Sequence, residues 1–491
     1  MPPVTRTWPD PAPPRLRLPL GALATGVVAA LLLPDAAPGL NVVLVAVAAA
    51  ATVLLSVRSR AGHDGRRGRL ATALTVISSL LAGVAVVRAS EWLVAGCVLA
   101  AAALGAAVAV GARRWPAVLA TGWLFGESVI RSVPWVGETL RRRRPRGVPV
   151  RAPRAVLTGL AVGLVCTVVI GALLASADAG FADLLGGFGD LLVIDVPGVD
   201  VLVARVLVGA VVALGVLGTG FAASTRLRQE PAAPRDRHPA EWLTPLVLVA
   251  VTIAAFLAVE AGRLSGVAGT VNHAERARQG FGQLVVVTVL VLLLVAWAGR
   301  SAGAGHRGLL AAGGGTLLAL TLLLAVSALR RLWLYQGEFG WTVARFNGGA
   351  FELWVVVVLL TVAVAWTVRR ADLLPRLVAG SAGLGLLVVA LAGPDAVVAA
   401  ANVRRYQSTG DIDTLYLSRL SADAVPALTR LPEPVRACAL PDPDAEEPWY
   451  SWNFSRFRAQ GLLEQEGLTA GDVADRSGCA GAPVVVVVPA G

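Results

Sequence analysis

The sequence predicts an all-α polytopic membrane protein with about eleven transmembrane helices, one interfacial helix and a small C-terminal extracytoplasmic domain. Three observations predict it. Hydrophobic residues make up 56% of the 491 residues and charged ones only 15%, with a mean hydropathy of +0.69. Apolar runs long enough to cross a hydrocarbon core, for which about 20 residues suffice, recur along the chain. The loops between them alternate between arginine-rich and arginine-poor, which fixes an orientation.

The first 112 residues hold four runs, Pro19 to Leu33, Leu40 to Val57, Leu70 to Val87 and Trp92 to Val110. Residues 113–154 form a different piece. Between Arg113 and Leu140 the chain carries Glu127, Arg131 and Glu138. Trp115, Leu119, Val129, Val133 and Val136 can share one helix face, while Glu127 and Arg131 sit at pairing distance four residues apart. That pattern suits a helix lying in the membrane interface, followed by a basic linker, Arg141 to Arg144 with Arg146. Residues 155–394 supply seven more spans: Ala155 to Ala175, Val201 to Ala222, Trp242 to Val259, Phe281 to Trp297, Leu309 to Leu329, Ala350 to Val368 and Leu374 to Leu391. Residues 395–491 read as a mostly helical soluble domain. There Asp411 and Ser421 are candidate helix caps, an aromatic helix runs over 449–464, and Val484 to Val488 is a short strand or packed tail.

Charge sets the orientation. Arg15 and Arg17, the cluster Arg58 to Arg69, Arg113 and Arg114, the run Arg141 to Arg146, the cluster Arg226 to Arg237, Arg300 with Arg307, and Arg369 with Arg370 all fall on one side if residues 113–140 do not cross. Positively charged loops stay cytoplasmic. The N-terminus is therefore expected in the cytoplasm of a multi-pass cell-membrane protein and the C-terminal domain outside. Residues 176–200 agree, with five aspartates and no basic residue. The net charge of +11 and pI near 10.8 then reflect topology and contact with anionic lipids in the bilayer, not nucleic acid. All basic residues other than histidine are arginine, a bias expected of a high-GC, actinobacterial genome. The first apolar run lacks a clean cleavage site and reads as an uncleaved span.

Cys97 and Cys166 lie within apolar runs and read as small core residues. Cys438 and Cys479 lie in the tail, where an oxidising exterior favours a disulfide between them, closing a loop of about 40 residues for roughly 3–4 kcal/mol. Histidines 63, 238, 273 and 306 fall in separate loops. No metal site or cofactor is expected from that pattern. Glu260 has Arg263 three residues on as a local partner, and Arg205 can snorkel to an outer boundary.

Four segments carry a resemblance: LLASADAGFADLL at 173–185, HAERARQGFGQL at 273–284, RRLWLYQGEFGWTVARF at 330–346 and NVRRYQSTGDIDTLYLSRLSADAVPAL at 402–428. They resemble signature segments of a polytopic bacterial membrane family catalogued as domain of unknown function 4173, over most of residues 155–430. His273 stands where the family pattern usually has Tyr. The resemblance implies no activity. Placed on the topology, all four segments fall outside, with residues 330–350 as a loop. This implies a site built from Asp178, Arg276, Arg278, Gln279, Arg330, Arg331, Tyr335, Glu338, Thr342, Arg345, Asn402, Arg404, Arg405, Asp411 and Asp413.

Two roles compete for these residues. Guanidinium forks bind phosphate or carboxylate, so an anionic lipid-linked ligand or an envelope protein is one expected partner. The other role is a charge network with Glu275, Glu338, Glu352, Asp411 and Asp413 that holds the tail to the bundle, and charge burial near a membrane favours it slightly. The expected function is ligand or partner binding in envelope sensing, scaffolding or transport. The alternative is a glycosyltransferase-like membrane enzyme acting on a lipid-linked substrate, with Asp178 and Asp183 as acids. That reading rests on architecture alone.

Overall fold

The computed structural model describes residues 14–56, 65–142, 199–225, 237–264, 273–368, 371–433, 435–441 and 447–467. Every regular element among them is helical. The chain begins with α1 (Arg17–Leu32), α2 (Leu40–Ser56), α3 (Gly65–Val87) and α4 (Glu91–Val110), then α5 (Trp115–Leu119) and α6 (Thr121–Arg142). Five further long helices follow: α7 (Val199–Thr225), α8 (Pro239–Leu264), α9 (His273–Ser301), α10 (Arg307–Phe339) and α11 (Val343–Thr367). After them come α12 (Leu374–Ala392), α13 (Pro394–Thr409) and the short α14 (Thr414–Leu417), α15 (Val425–Leu428) and α16 (Val435–Ala439), before α17 (Phe454–Gln465).

Seven of these helices are long and apolar enough to cross a membrane: α3, α4, α7, α8, α10, α11 and α12. Three shorter apolar helices, α1, α2 and the Val286–Ser301 part of α9, fall on other expected runs. The run Ala155 to Ala175 lies outside the described residues, as does Val484 to Val488. Outward-facing side chains such as Leu54 and Leu55, nearly four-fifths exposed, and Val251, Leu293 and Leu391 leave an apolar surface of the kind a lipid bilayer covers. The protein is a multi-pass membrane protein.

Among the described residues the bundle has three buried apolar cores. α8 to α11 share a core of Trp242, Leu246, Val291, Val295, Leu317 and Leu359. α3, α4 and α12 share Leu81, Leu93, Cys97, Leu104 and Leu387. The third core joins α1, α6 and α7 with the C-terminal end of α4. Because lipid is as apolar as leucine, helices associate in membranes through close packing of small residues. α1 and α7 cross in this way, antiparallel, since Gly26 meets Gly209 while Leu18 meets Gly220. A Cβ on Gly26 would lie 2.6 Å from the Gly209 carbonyl oxygen.

The helix read as interfacial packs differently from expectation. Leu119 is exposed, and the buried seam of α6 runs instead through Leu124, Ser128, Ser132 and Trp135, with Trp135 edge-on to Phe221 of α7. Hydropathy hid this seam because two of its residues are serines. Their hydroxyls donate to the carbonyls of Phe125 and Val129, so they bury at little cost. Arg131 and Glu127 do pair, at 2.8 Å.

The stretch read as an outer loop over 330–350 is mostly helix. α10 continues through Arg330, Arg331, Tyr335 and Glu338 and stops at Gly340, whose φ of 75° is open to glycine alone at little cost. α11 begins two residues later at a Thr342 N-cap, which accepts from Arg345 N–H. Residues from α13 onward fold back over one end of the bundle as a helical cap. Its core of Val398, Leu417, Leu428, Leu440 and Leu463 takes in Trp341, Val343 and Phe346 from the α10–α11 turn.

The α1–α7 crossing yields a test. Gly26→Leu should lower stability by about 1–3 kcal/mol through overpacking, seen as a lower melting temperature in detergent. Gly96→Ala on α4, where a Cβ meets nothing within 4 Å, should leave it unchanged.

Candidate functional site at the capped end

The helix ends meeting the cap each leave backbone carbonyls or N–H groups without intrahelical partners. The cap and one arginine supply those partners. Arg88, one residue beyond α3, donates through Nε to Ala390 O at 2.7 Å and through a terminal nitrogen to Leu391 O, so it closes the C-terminal end of α12. Its other terminal nitrogen faces the Asp423 carboxylate at 3.4 Å. Asp423 comes from the short 3-10 turn before α15 and has a side chain only 1% exposed. It also accepts from the N–H groups of Ala89 and Ser90 at 3.1 and 3.3 Å and from the Ser455 hydroxyl.

Ser90, the N-cap of α4, makes no side-chain capping bond of its own. The distant carboxylate thus stands at the positive end of α4, where an anion is favoured. Gly393 joins α12 to α13 with φ 69°. A Cβ there would fall 2.6 Å from an Arg88 terminal nitrogen, so this corner needs glycine twice over.

Asn453 performs two tasks. Its amide nitrogen donates to Ala85 O and Arg88 O, both at 2.8 Å, at the end of α3. Its amide oxygen caps α17 by accepting from Arg456 N–H. Arg456 reaches Ser451 O, Pro38 O and Glu447, and Leu40 N–H, opening α2, donates to Trp452 O. Asp395, at the start of α13, accepts from Ser421 N–H and its hydroxyl.

The residues singled out in the sequence are distributed as follows. Asp178 falls outside the described residues. Arg276, Arg278 and Gln279 stand in the first turns of α9, and Tyr335 and Glu338 near the end of α10; their side chains are not described. Arg331 does not join an outer-loop network: its guanidinium meets Glu260 of α8 at 2.6 Å, where Ser327 also donates, and it lies over the Phe256 ring. Glu260 therefore reaches across to α10; Arg263, its expected local partner, has a side chain outside the described set. Arg205 faces Asp35 at 3.7 Å. Glu352, 2% exposed on α11, has no ion pair or hydrogen bond among the described residues.

Nearer the surface, Asn402 binds the α10–α11 turn, donating to Trp341 O and accepting from Trp341 N–H. Arg345 donates to Gly340 O, and Arg405 meets Asp411 at 3.6 Å. The helix cap is Asp413, which accepts from Tyr416 N–H at 2.9 Å, not Asp411. Ser421 makes no capping bond either, because its hydroxyl is committed to Asp395. Tyr416 in turn accepts from Val343 N–H through its phenol oxygen at 2.8 Å. Cys438 is buried and disulfide-bonded; Cys479, its expected partner, lies outside the described residues. Among the described residues no three His, Cys, Asp or Glu side chains gather as a metal-binding group.

Arg88, Asp395, Asp423, Asn453 and Arg456 escaped the sequence reading. The signal available was weak: Asp395 follows Gly-Pro at the end of an apolar run, and Asp423 sits in an ordinary SADA turn.

An all-helical membrane bundle, with one end closed by a helical cap through buried polar bonds, defines the class of this protein. The chain belongs to the family described as Domain of unknown function (DUF4153), whose model matches residues 75–431. This replaces the family number 4173 suggested by the four segments, and the match begins earlier than they do, within α3. No curated protein and no solved structure shows a significant match to the chain.

Two outcomes are expected. Asp423→Ala leaves Arg88 and two backbone N–H groups without their acceptor, and should cost about 3–5 kcal/mol, measured as lost yield and a lowered melting temperature. Burial pushes the Tyr416 phenol above its ordinary value of 10.0. Its contribution to stability is therefore complete below that value and is lost as pH rises through the raised one. Alkaline melting of the wild type should show this loss, and Tyr416→Phe should remove that part of the pH dependence.

Proposed function

We propose that this chain is an eleven-span protein of the cell membrane, with a cytoplasmic N-terminus and an extracytoplasmic cap that recognises an envelope partner or an anionic, lipid-linked ligand. The observation that carries the proposal is the segregation of the two ends. The α1–α2, α3–α4, α10–α11 and α12–α13 connections all meet the cap or one another. The opposite end gathers Arg15, Arg17, Arg113, Arg114, Arg237, Arg300 and Arg307. It is tied internally by Arg376 donating to Ala112 O and Arg237 N–H donating to Ser301 O. Arginines in the short loops between spans favour the cytoplasm, whereas Arg88, Arg331, Arg405 and Arg456 at the capped end are held by carboxylates, which supports an outward cap. In this reading α6 lies against the cytoplasmic boundary.

Recognition falls to the corner between the α10–α11 turn and α13–α14. Arg331 and Arg405 are engaged by Glu260 and Asp411 and serve to hold helices. Arg404 is exposed on α13 and has no charge partner among the described residues. It is the guanidinium this corner offers to an anion.

Orientation is tested with a membrane-impermeant maleimide on intact cells, with Cys97 and Cys166 replaced by Ala. Gln407→Cys on the cap should label in intact cells, and Gly305→Cys at the basic end only after permeabilisation. The reverse pattern would overturn the orientation. Arg331→Ala should reduce abundance, whereas Arg404→Ala should leave it at the wild-type level.

A further inference from the structure

The cap carries an aromatic surface that its own packing does not use. Trp449 is 72% exposed, Phe457 62%, Phe454 47% and Trp452 43%, and the rings of Trp452 and Phe457 lie 6.3 Å apart. These residues crowd one end of the segment. α17 buries Ser455, Arg456, Ala459 and Leu463 on one face. Along its exposed side the character changes from Phe454 and Phe457 at the start to Arg458, Gln460, Glu464 and Gln465 further on.

The height of the aromatic end is fixed by hydrogen bonds. Trp452 O accepts from Leu40 N–H, at the first residue of α2. Asn453 binds Ala85 O and Arg88 O, at the last turn of α3. The rings therefore sit level with the boundary of two apolar helices. Trp92, 47% exposed in the first turn of α4, and Val87 at the end of α3 continue the same level on the bundle itself.

Tryptophan and other aromatic rings with one wet and one apolar side favour this depth of a bilayer. We infer that Trp449, Trp452, Phe454 and Phe457 form a membrane-interface anchor, so that the cap dips its aromatic edge into the headgroup layer beside α2 and α3. The partner is the lipid surface, and the inference does not depend on which side of the membrane the cap occupies. Lipid is favoured over a protein partner because the bonds to Leu40, Ala85 and Arg88 hold the patch at the ends of two apolar helices, and its exposed side turns polar further along α17. A wedge of this kind makes the cap sensitive to lipid packing and headgroup spacing.

The test uses the full chain in phosphatidylcholine nanodiscs, with Cys97→Ala and Cys166→Ala and a nitroxide label at Trp449→Cys or Phe457→Cys. Collision rates with oxygen, which prefers lipid, and with a water-soluble nickel chelate report depth. Both sites should show an oxygen-to-nickel ratio between those of Val47→Cys, exposed in the middle of the α2 span, and Gln407→Cys on the cap. Glu464→Cys should match Gln407→Cys. A water-like ratio at 449 and 457 would overturn the anchor, and so would shielding from both reagents, which would mean that protein covers the patch. Should the labelled variants fold poorly, brominated phosphatidylcholine should quench tryptophan fluorescence less in Trp449→Phe/Trp452→Phe than in wild type. Equal quenching contradicts the inference.

Discussion

The capped end depends on the pairing of Arg88 with Asp423. Where a membrane helix ends, its last carbonyls and first N–H groups need partners, and leaving one buried without them costs about 1–3 kcal/mol. Arg88 meets this need for α12 through Ala390 O and Leu391 O, and Asp423 does so at the start of α4. The ion pair between them links α3, α4, α12 and the cap in one contact. Neither charge could be buried alone at acceptable cost. Together, with the hydrogen-bond donors and acceptors around them, they set where the cap sits.

This arrangement explains why the cap follows the bundle in its details. Asn453 closes α3 and starts α17 with the same amide. The core of the cap borrows Trp341, Val343 and Phe346 from the α10–α11 turn, so the cap is packed as a continuation of the bundle. Its aromatic edge is held at the membrane boundary by the same bonds that close the helix ends.

Much of the bundle was legible because hydropathy records lipid exposure directly. The expected runs Leu40 to Val57, Trp92 to Val110 and Leu374 to Leu391 match α2, α4 and α12 to within a residue at either end. Legibility failed where polar residues were used structurally. A window that looks for apolar residues cannot see a seam made of Ser128 and Ser132. The polar letters of 330–339 read as loop, although α10 carries them through the last turns before Gly340. The acids of the junction failed for a further reason. Asp395 and Asp423 have nothing in their neighbours to mark them as buried, because their partners lie 26 and 335 residues away. Arg405 meets Asp411, an acid of the expected charge network, and Asp413 caps the helix that follows it, whereas Glu260, the partner of Arg331, lies 71 residues away on another helix where spacing could not name it.

Hydrogen exchange across the junction tests the central claim most directly. In the wild type, amides of the α3–α4 turn and of α17 should be protected together. In Asp423→Ala both should lose protection, while α8 and α10, which have their own core, keep theirs. Protection at the α3–α4 turn and α17 that survives the substitution would contradict the account, because the cap would then be held by contacts other than this carboxylate.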